Sequence, residues 1–259
     1  MHPSSFNKMH QSKLFSKPFN TFLLIVILLF SIQSYAQIPE GMVRYQRTAN
    51  RYQELASYEY LSKELQAKYS EGYGTEPIFT TLYINATRTR FEGWDEQDPE
   101  WISQRSDYTI TRDFNNQTMQ ELHAVNGKTY LVVDSLRAPR WQIMSEMKEI
   151  AGHACMNAYY KDTLRHQKVI AWYALDLPLA GGPESFFGLP GLILEVNVND
   201  GALLLTAAKI LQMKLTTELD FPKKTKGKKI KEKEYMEIIS KQIADNRKKL
   251  KPLLNGIIY

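Results

Sequence analysis

Along most of this chain apolar residues return at every second position, the period of a strand with one buried face. Between Ile78 and Glu92 the residues Ile78, Thr80, Leu82, Ile84 and Ala86 share one side, and Phe79, Thr81, Tyr83 and Asn85 the other. That alternation predicts a single strand over 78–92. Strands are also predicted in "EGMVRYQRT" (40–48), "SDYTITRDF" (106–114), "TMQELHAV" (118–125), "KTYLVVDSL" (128–136) and "QKVIAWYAL" (167–175). Asn126-Gly127 separates two of them and is a strong hairpin signal, because both turn positions need positive φ. "RWQIMSEMKEIAGHACMNAYYK" (140–161) predicts two further segments split at Ala151-Gly152.

The period lengthens to three and four residues in two places. Leu55, Tyr58, Leu61, Leu65 and Tyr69 form one stripe of a helix over 51–70, which is expected to cover the core of its own domain. Tyr235, Ile238, Ile239 and Ile243 form another, an amphipathic C-terminal helix with Arg247, Lys248 and Lys249 near the end where its dipole favours cations. Strands at this spacing with polar turns point to antiparallel sheet rather than β-α-β units. The fold class expected is therefore α+β, a mainly antiparallel sheet curled into an open or half barrel with the two helices over its face or mouth. Between the strands, the acidic loop "EGWDEQDPEW" carries Trp94 and Trp101, which are expected to pack inward.

The ends add a compartment. Lys8, Lys13 and Lys17 precede the apolar run Phe22–Phe30, and Ser34 and Ala36 stand at the small-residue positions of a cleavage site. This is the pattern of a secretory signal peptide over 1–36, too short in its apolar part to span a bilayer. The expected domain is 37–219, followed by a lysine-rich linker at 220–232 and the helical tail at 233–259. The single cysteine, Cys155, excludes an internal disulfide, so stability must come from the core. The net charge of +5 is unevenly placed. Residues 209–251 hold 14 Lys and Arg against 6 Asp and Glu, so an acidic body carries a basic tail. An exported chain with lysines but no accompanying stacking residues points away from nucleic acid. It leaves a solvated linker, or contact between the Lys-rich 223–233 segment and an anionic membrane or lipopolysaccharide.

One stretch breaks the strand pattern by design. "ESFFGLPGLILEV" (184–196) follows Gly181-Gly182-Pro183 and contains Gly188, Leu189, Pro190 and Gly191. Proline fixes φ, and glycine permits positive φ, so the stretch is a loop of few conformations. It delivers Leu192, Leu194 and Val196 to one face of a strand and Ile193 and Glu195 to the other, with Glu195 expected in solvent. Phe186 and Phe187 stand between the rigid turns, where at least one is expected to plug the end of the core. Read structurally, the stretch is a demanding corner. Read functionally, it is a cavity rim or docking edge, with Trp172, Gly182, Pro183, Phe186, Phe187, Gly188, Leu189, Pro190 and Gly191 as binding residues.

"GLPGLILEV" resembles the GLPGLI family of Bacteroidetes. So do "KEIAGHACMNA" (148–158), with His153 at a position usually aromatic, and "VIAWYALDLPLAGGP" (169–183), with Leu177 replacing the usual Ile. The resemblance is strong over 141–205 and weak over 51–70 and the tail. It implies an exported protein, in some genomes found near TonB-dependent outer-membrane transport components, and implies no particular reaction.

Catalytic and metal chemistry find little support in the residues. His153 and Cys155, two apart on one strand with His166 in reach of a neighbour, form a weak alternative metal or nucleophile pair. Structural zinc needs four ligands, however, and a buried free cysteine is the plainer reading. No cofactor motif occurs. The function expected is an exported, non-enzymatic envelope protein that binds an apolar ligand or a protein partner, accessory to TonB-dependent transport. The alternatives are an exported hydrolase with an unrecognised active site and a purely structural envelope component. A filled interior with an exposed apolar patch would favour a protein partner.

Overall fold

The computed structural model describes residues 40–50, 63–64, 77–93, 108–163, 165, 167–222 and 225–248. Twelve strands form one sheet: β1 (Gly41–Ala49), β2 (Ile78–Ile84), β3 (Arg88–Glu92), β4 (Thr109–Asp113), β5 (Thr118–Val125), β6 (Lys128–Ser135), β7 (Gln142–Ile150), β8 (His153–Asp162), β9 (Gln167–Ala174), β10 (Ile193–Val198), β11 (Leu203–Gln212) and β12 (Lys228–Ile230). The order across the sheet is β12-β6-β5-β4-β3-β2-β1-β11-β10-β9-β8-β7. It is two antiparallel meanders joined where β1 pairs β11. Every ladder is antiparallel except that of β12 on β6. A helix, α1 (Glu232–Lys248), follows β12.

The expected fold class is the one observed. The sheet curls without closing. Arg165, in the turn between β8 and β9, donates from Nη2 to Sδ of Met236 on α1 at 3.6 Å, although α1 packs on β6 at the far end of the strand order. Tight turns fall where positive-φ residues predicted them: Asn126 and Gly127 at φ 51° and 73°, Ala151 and Gly152 at 51° and 84°.

Three expectations change. The single strand over 78–92 is a hairpin, because the side chain of Asn85 accepts hydrogen bonds from the backbone N–H of Thr87 (2.9 Å) and Arg88 (2.8 Å) and turns the chain. Leu192, Leu194 and Val196 do not share a face. A bulge between Ile193 and Glu195 shifts the register, so Val196 packs with Ile193 and Val198 in one core cluster while Leu192 and Leu194 join another. The expected linker at 220–232 contains β12, with Lys228, Lys229 and Ile230 paired in parallel to Tyr130, Leu131 and Val132. Ile230 is buried with Met119, Val125 and Val132, and this anchors the segment.

The C-terminal helix is present, and its buried side is the predicted one: Tyr235 and Ile239 pack against that same cluster. Asp134 of β6 caps it, accepting from the N–H of Glu232 at 3.1 Å. Of the helix expected over 51–70, only Lys63 and Glu64 lie among the described residues, and both are helical. Trp94, Trp101, the signal-peptide segment and the end of the tail lie outside them. Among the described residues no helix is long and apolar enough to cross a membrane.

Candidate functional site

The register assigns one face of the sheet to Val43, Tyr45 and Arg47 of β1, Phe91 of β3, Ile110 and Arg112 of β4, Glu121 of β5, and Val169, Ala171 and Tyr173 of β9. Both α1 and the chain between β9 and β10 pack on this inner face. Leaving β9 at Leu175, the chain folds inward rather than out into solvent. Backbone bonds from Gly188 N to Ala180 O (2.9 Å) and from Ile193 N to Gly181 O (3.0 Å) close it into a compact plug. Two glycines make the plug fit. A Cβ on Gly191 would lie 1.9 Å from the carbonyl oxygen of Ala174, and Gly188 has φ +88° beside Ala138.

Phe186 is 1% exposed and Leu189 2%, both packed among Ala171, Tyr173 and Val196. Phe187 is buried too, and its carbonyl accepts from Trp141 Nε1 at 2.8 Å. Gly182, Pro183 and Gly191 are buried, while Gly188 and Pro190 are exposed. The motif therefore occupies the interior that an apolar ligand would need. Trp172 is not beside the phenylalanines. Strand alternation sends it to the outer face of β9, where the ammonium of Lys148 sits 4.4 Å from its ring. The expected lining of Trp172, Phe186 and Phe187 around one cavity is not assembled.

Beneath the plug lies a buried polar cluster that the sequence reading missed. Arg47 donates from Nε to Oε1 of Glu184 at 3.0 Å, and Arg112 donates from Nη2 to the Glu184 carbonyl at 2.6 Å. Arg112 is 2% exposed, with its guanidinium 4.7 Å from the Phe187 ring. Glu121 lies 3.8 Å from Arg112 and within 2.9 Å of His123 Nε2, and His123 stacks on Tyr235 of α1 at 4.7 Å. Burial alone would raise the Glu121 carboxyl. The hydrogen bond and charge of His123, with Arg112 and Arg165, outweigh it and hold the group below its ordinary value. Glu184 has φ +49°. The cluster thus ties plug, sheet and helix together with paired charges. One sequence signal was available: Arg112 stands two residues from Ile110 on the inward side of β4, where an unpaired cation would be costly.

The remaining chemical candidates are structural. Cys155 is fully buried, its Sγ–H donating to the carbonyl of His153 at 3.4 Å, and burial pushes its thiol up to about 11. His153 Nδ1 lies 2.9 Å from Asp176 Oδ2 instead of facing the thiol. His166 lies outside the described residues. Among the described residues no group of three His, Cys, Asp or Glu is placed to hold a metal. Glu195 is not solvated as expected: it binds Lys148 Nζ at 2.6 Å and accepts from Thr206 Oγ1 at 3.4 Å.

The exposed feature of the molecule is β7. Among the described residues it pairs with β8 alone and is an edge of the sheet. Ile143 is 52% exposed and Met147 60%, both on the face of their partners Ala158 and Met156, and Met144 is exposed beside them. Between them the ladder opens. Asn157 fills the gap, accepting from Glu146 N (3.2 Å) and donating to Glu146 Oε2 (2.9 Å).

A family model described as a protein of unknown function, Porph_ging, matches residues 161–195, which run from the end of β8 through β9 and the plug into β10. No curated protein matches the chain. Among solved structures, PNGF-II in its C2 and P21 crystal forms is similar, with a TM-score of 0.53 in both and 14% and 15% identity. The match covers 78% of this chain and 32% and 33% of the PNGF-II chains, so this chain spans about a third of their length. An uncharacterised conserved protein from Thermus thermophilus aligns with a TM-score of 0.39 and 8% identity, over 80% of this chain and 99% of that one. At these identities the likeness to PNGF-II is one of fold, and the family match is confined to residues 161–195, β9 and the plug with the strand ends beside them.

Proposed function

We propose that this chain is an exported, non-enzymatic envelope protein of GLPGLI type that binds a protein partner along β7, as an accessory to TonB-dependent outer-membrane transport. The observation that carries the reading is the open edge of β7 with Ile143, Met144 and Met147 in solvent. An edge strand offers a row of backbone donors and acceptors, and native sheets ordinarily blunt such an edge with charge, proline or a covering element. Apolar side chains left on it favour an occupant that adds an extended strand of its own, apolar at alternate positions. The inward plug argues for a protein over an apolar ligand, since Phe186 and Leu189 fill the inner face. The export signal and the "GLPGLI" resemblance support the compartment and the family, and the match over 161–195 is consistent with the family.

The experiment places a photo-crosslinking residue at Met147 or, as a control, at Met213 in protein expressed in the envelope. An adduct at 147 and none at 213 is expected. Hydrogen-exchange protection of the 142–150 amides in the complex is expected too and is lost in Met147→Asp, and the adduct at 147 is lost in Ile143→Asp, each at an unchanged unfolding midpoint. Capture that is equal in Met147→Asp, or adducts at 213 alone, would sink the reading. A co-purifying lipid released by Phe186→Ala in a folded protein would return the apolar-ligand alternative.

A further inference from the structure

The segment expected to be a loose linker is a fixed strand, and its charges are fixed with it. Ile230 turns inward and is 4% exposed, while Lys226, Lys228, Lys229, Lys231 and Lys233 all remain in solvent. Lys128, at the start of the neighbouring β6, is exposed as well. Residues 223–233 contain seven lysines and one acidic residue, Glu232, whereas the body of the chain is acidic. Among the described residues the carboxylates beside this edge are Asp134, Glu232 and Glu234, and Asp134 feels the charge of Lys231. Glu234 takes Lys228 Nζ at 2.6 Å, and Glu232 lies toward Arg137 at 4.0 Å. Lys226, Lys229, Lys231 and Lys233 have no ion pair among the described residues.

We propose that the β12 edge docks the protein on a bilayer surface rich in anionic headgroups, a contact separate from partner binding at β7. Four observations select that occupant. The lysines are strung out rather than focused: an extended chain rises about 3.3 Å per residue, so Lys226 to Lys231 spans roughly 16 Å, a match for an array of phosphates and not for one. All are exposed, so each meets the surface without being buried. No exposed large aromatic among the described residues accompanies them to stack a base, which weighs against nucleic acid. Finally, the lysines are concentrated along one edge of the sheet, in a chain whose body is acidic, so that edge can meet a negative surface.

The test is co-sedimentation of the full chain with phosphatidylcholine vesicles, with and without phosphatidylglycerol. The apolar run at 22–30 partitions into both kinds alike, and Lys8, Lys13, Lys17 and the tail lysines are the same in every variant, so the difference between wild type and variant on anionic vesicles isolates the substituted lysines. Wild type is compared with Lys226→Gln, Lys229→Gln, Lys231→Gln and Lys233→Gln combined. A second variant carries Arg at the same four positions. A control variant carries Lys161→Gln, Lys168→Gln, Lys209→Gln and Lys214→Gln. At about 1 kcal/mol per lysine near the surface, the first variant is expected to lose at least about tenfold in partition to anionic vesicles. The Arg variant and the control are expected to bind nearly as wild type. Raising salt from about 0.1 M to 1 M shortens screening from roughly 10 Å to 3 Å and should remove the difference between vesicle types. Equal binding to both vesicles, an equal loss in the control, or an oligonucleotide bound as tightly as the anionic vesicle would each overturn the proposal. Crosslinking at Met147 is read separately, so either contact can fail without the other.

Discussion

The two edges of the sheet are finished in opposite ways. At one, β6 is covered by a three-residue parallel strand whose outward residues are lysines, and α1 packs its Tyr235 and Ile239 over the join. At the other, β7 runs for nine residues with, among the described residues, only β8 paired to it and with Ile143, Met144 and Met147 exposed. Charge and a covering helix are ordinary means of keeping a sheet from pairing with a stranger, and the first edge has both. The second has no covering helix among the described residues; it carries Glu146, Lys148 and Glu149, and its ladder opens at Asn157. Within one molecule this contrast sets an edge closed by a strand and a helix against an edge that leaves apolar side chains exposed.

The largest effect is expected where the covered edge is anchored. Ile230→Asp puts a carboxylate among Met119, Val132 and Tyr235 and should destabilise by about 3 kcal/mol or more, read from urea unfolding. It should also loosen α1 first. Acid should act on the same side. The Glu121 and Asp134 carboxyls are held below their ordinary values, Asp134 by the N–H groups of Ser135 and Glu232. A depressed folded pKa gives stability that is full above the unfolded value and is lost as pH falls through the folded one. Below about pH 4, the ordinary Asp and Glu range, α1 amides should therefore exchange before those of β8 and β9. Simultaneous exchange on both sides would remove the distinction. A smaller change is expected from Lys148→Ala, which leaves Glu195 and the Trp172 ring without their cation: about 1 kcal/mol in thermal unfolding. The smallest in stability is Met147→Asp, within about 0.5 kcal/mol, because that side chain is already in water. Its consequence should appear in self-association and partner capture instead. A large stability loss there would mean that β7 is not a free edge.

The candidate site was legible in the wrong sense. The glycine and proline positions between Gly181 and Gly191 marked a rigid loop, and Phe186 does seal the core. What the residues did not say is which way the loop turns. Folded inward, the motif packs on the inner face of the half barrel, and exposed apolar side chains stand instead on β7, whose "QIMSEMKE" reads as an unremarkable strand. Arg47, Arg112, Glu121 and His123 were equally silent, because each is an ordinary polar residue until the plug and α1 bring Glu184 and Tyr235 against them.

Local chemistry in the sequence determined the strand period, the turns at Asn126-Gly127 and Ala151-Gly152, and the amphipathic C-terminal helix, since each depends on a few adjacent residues and their allowed φ. Tertiary structure alone decided that β1 pairs with β11, some 160 residues away, and that bulges at Arg44/Tyr45 and Ile193/Glu195 re-aim the faces. It also decided that Lys228–Ile230 becomes a strand. A three-residue segment has too little alternation to declare itself. It is a strand here because β6 presents an open row of hydrogen-bonding groups and an apolar hollow for Ile230.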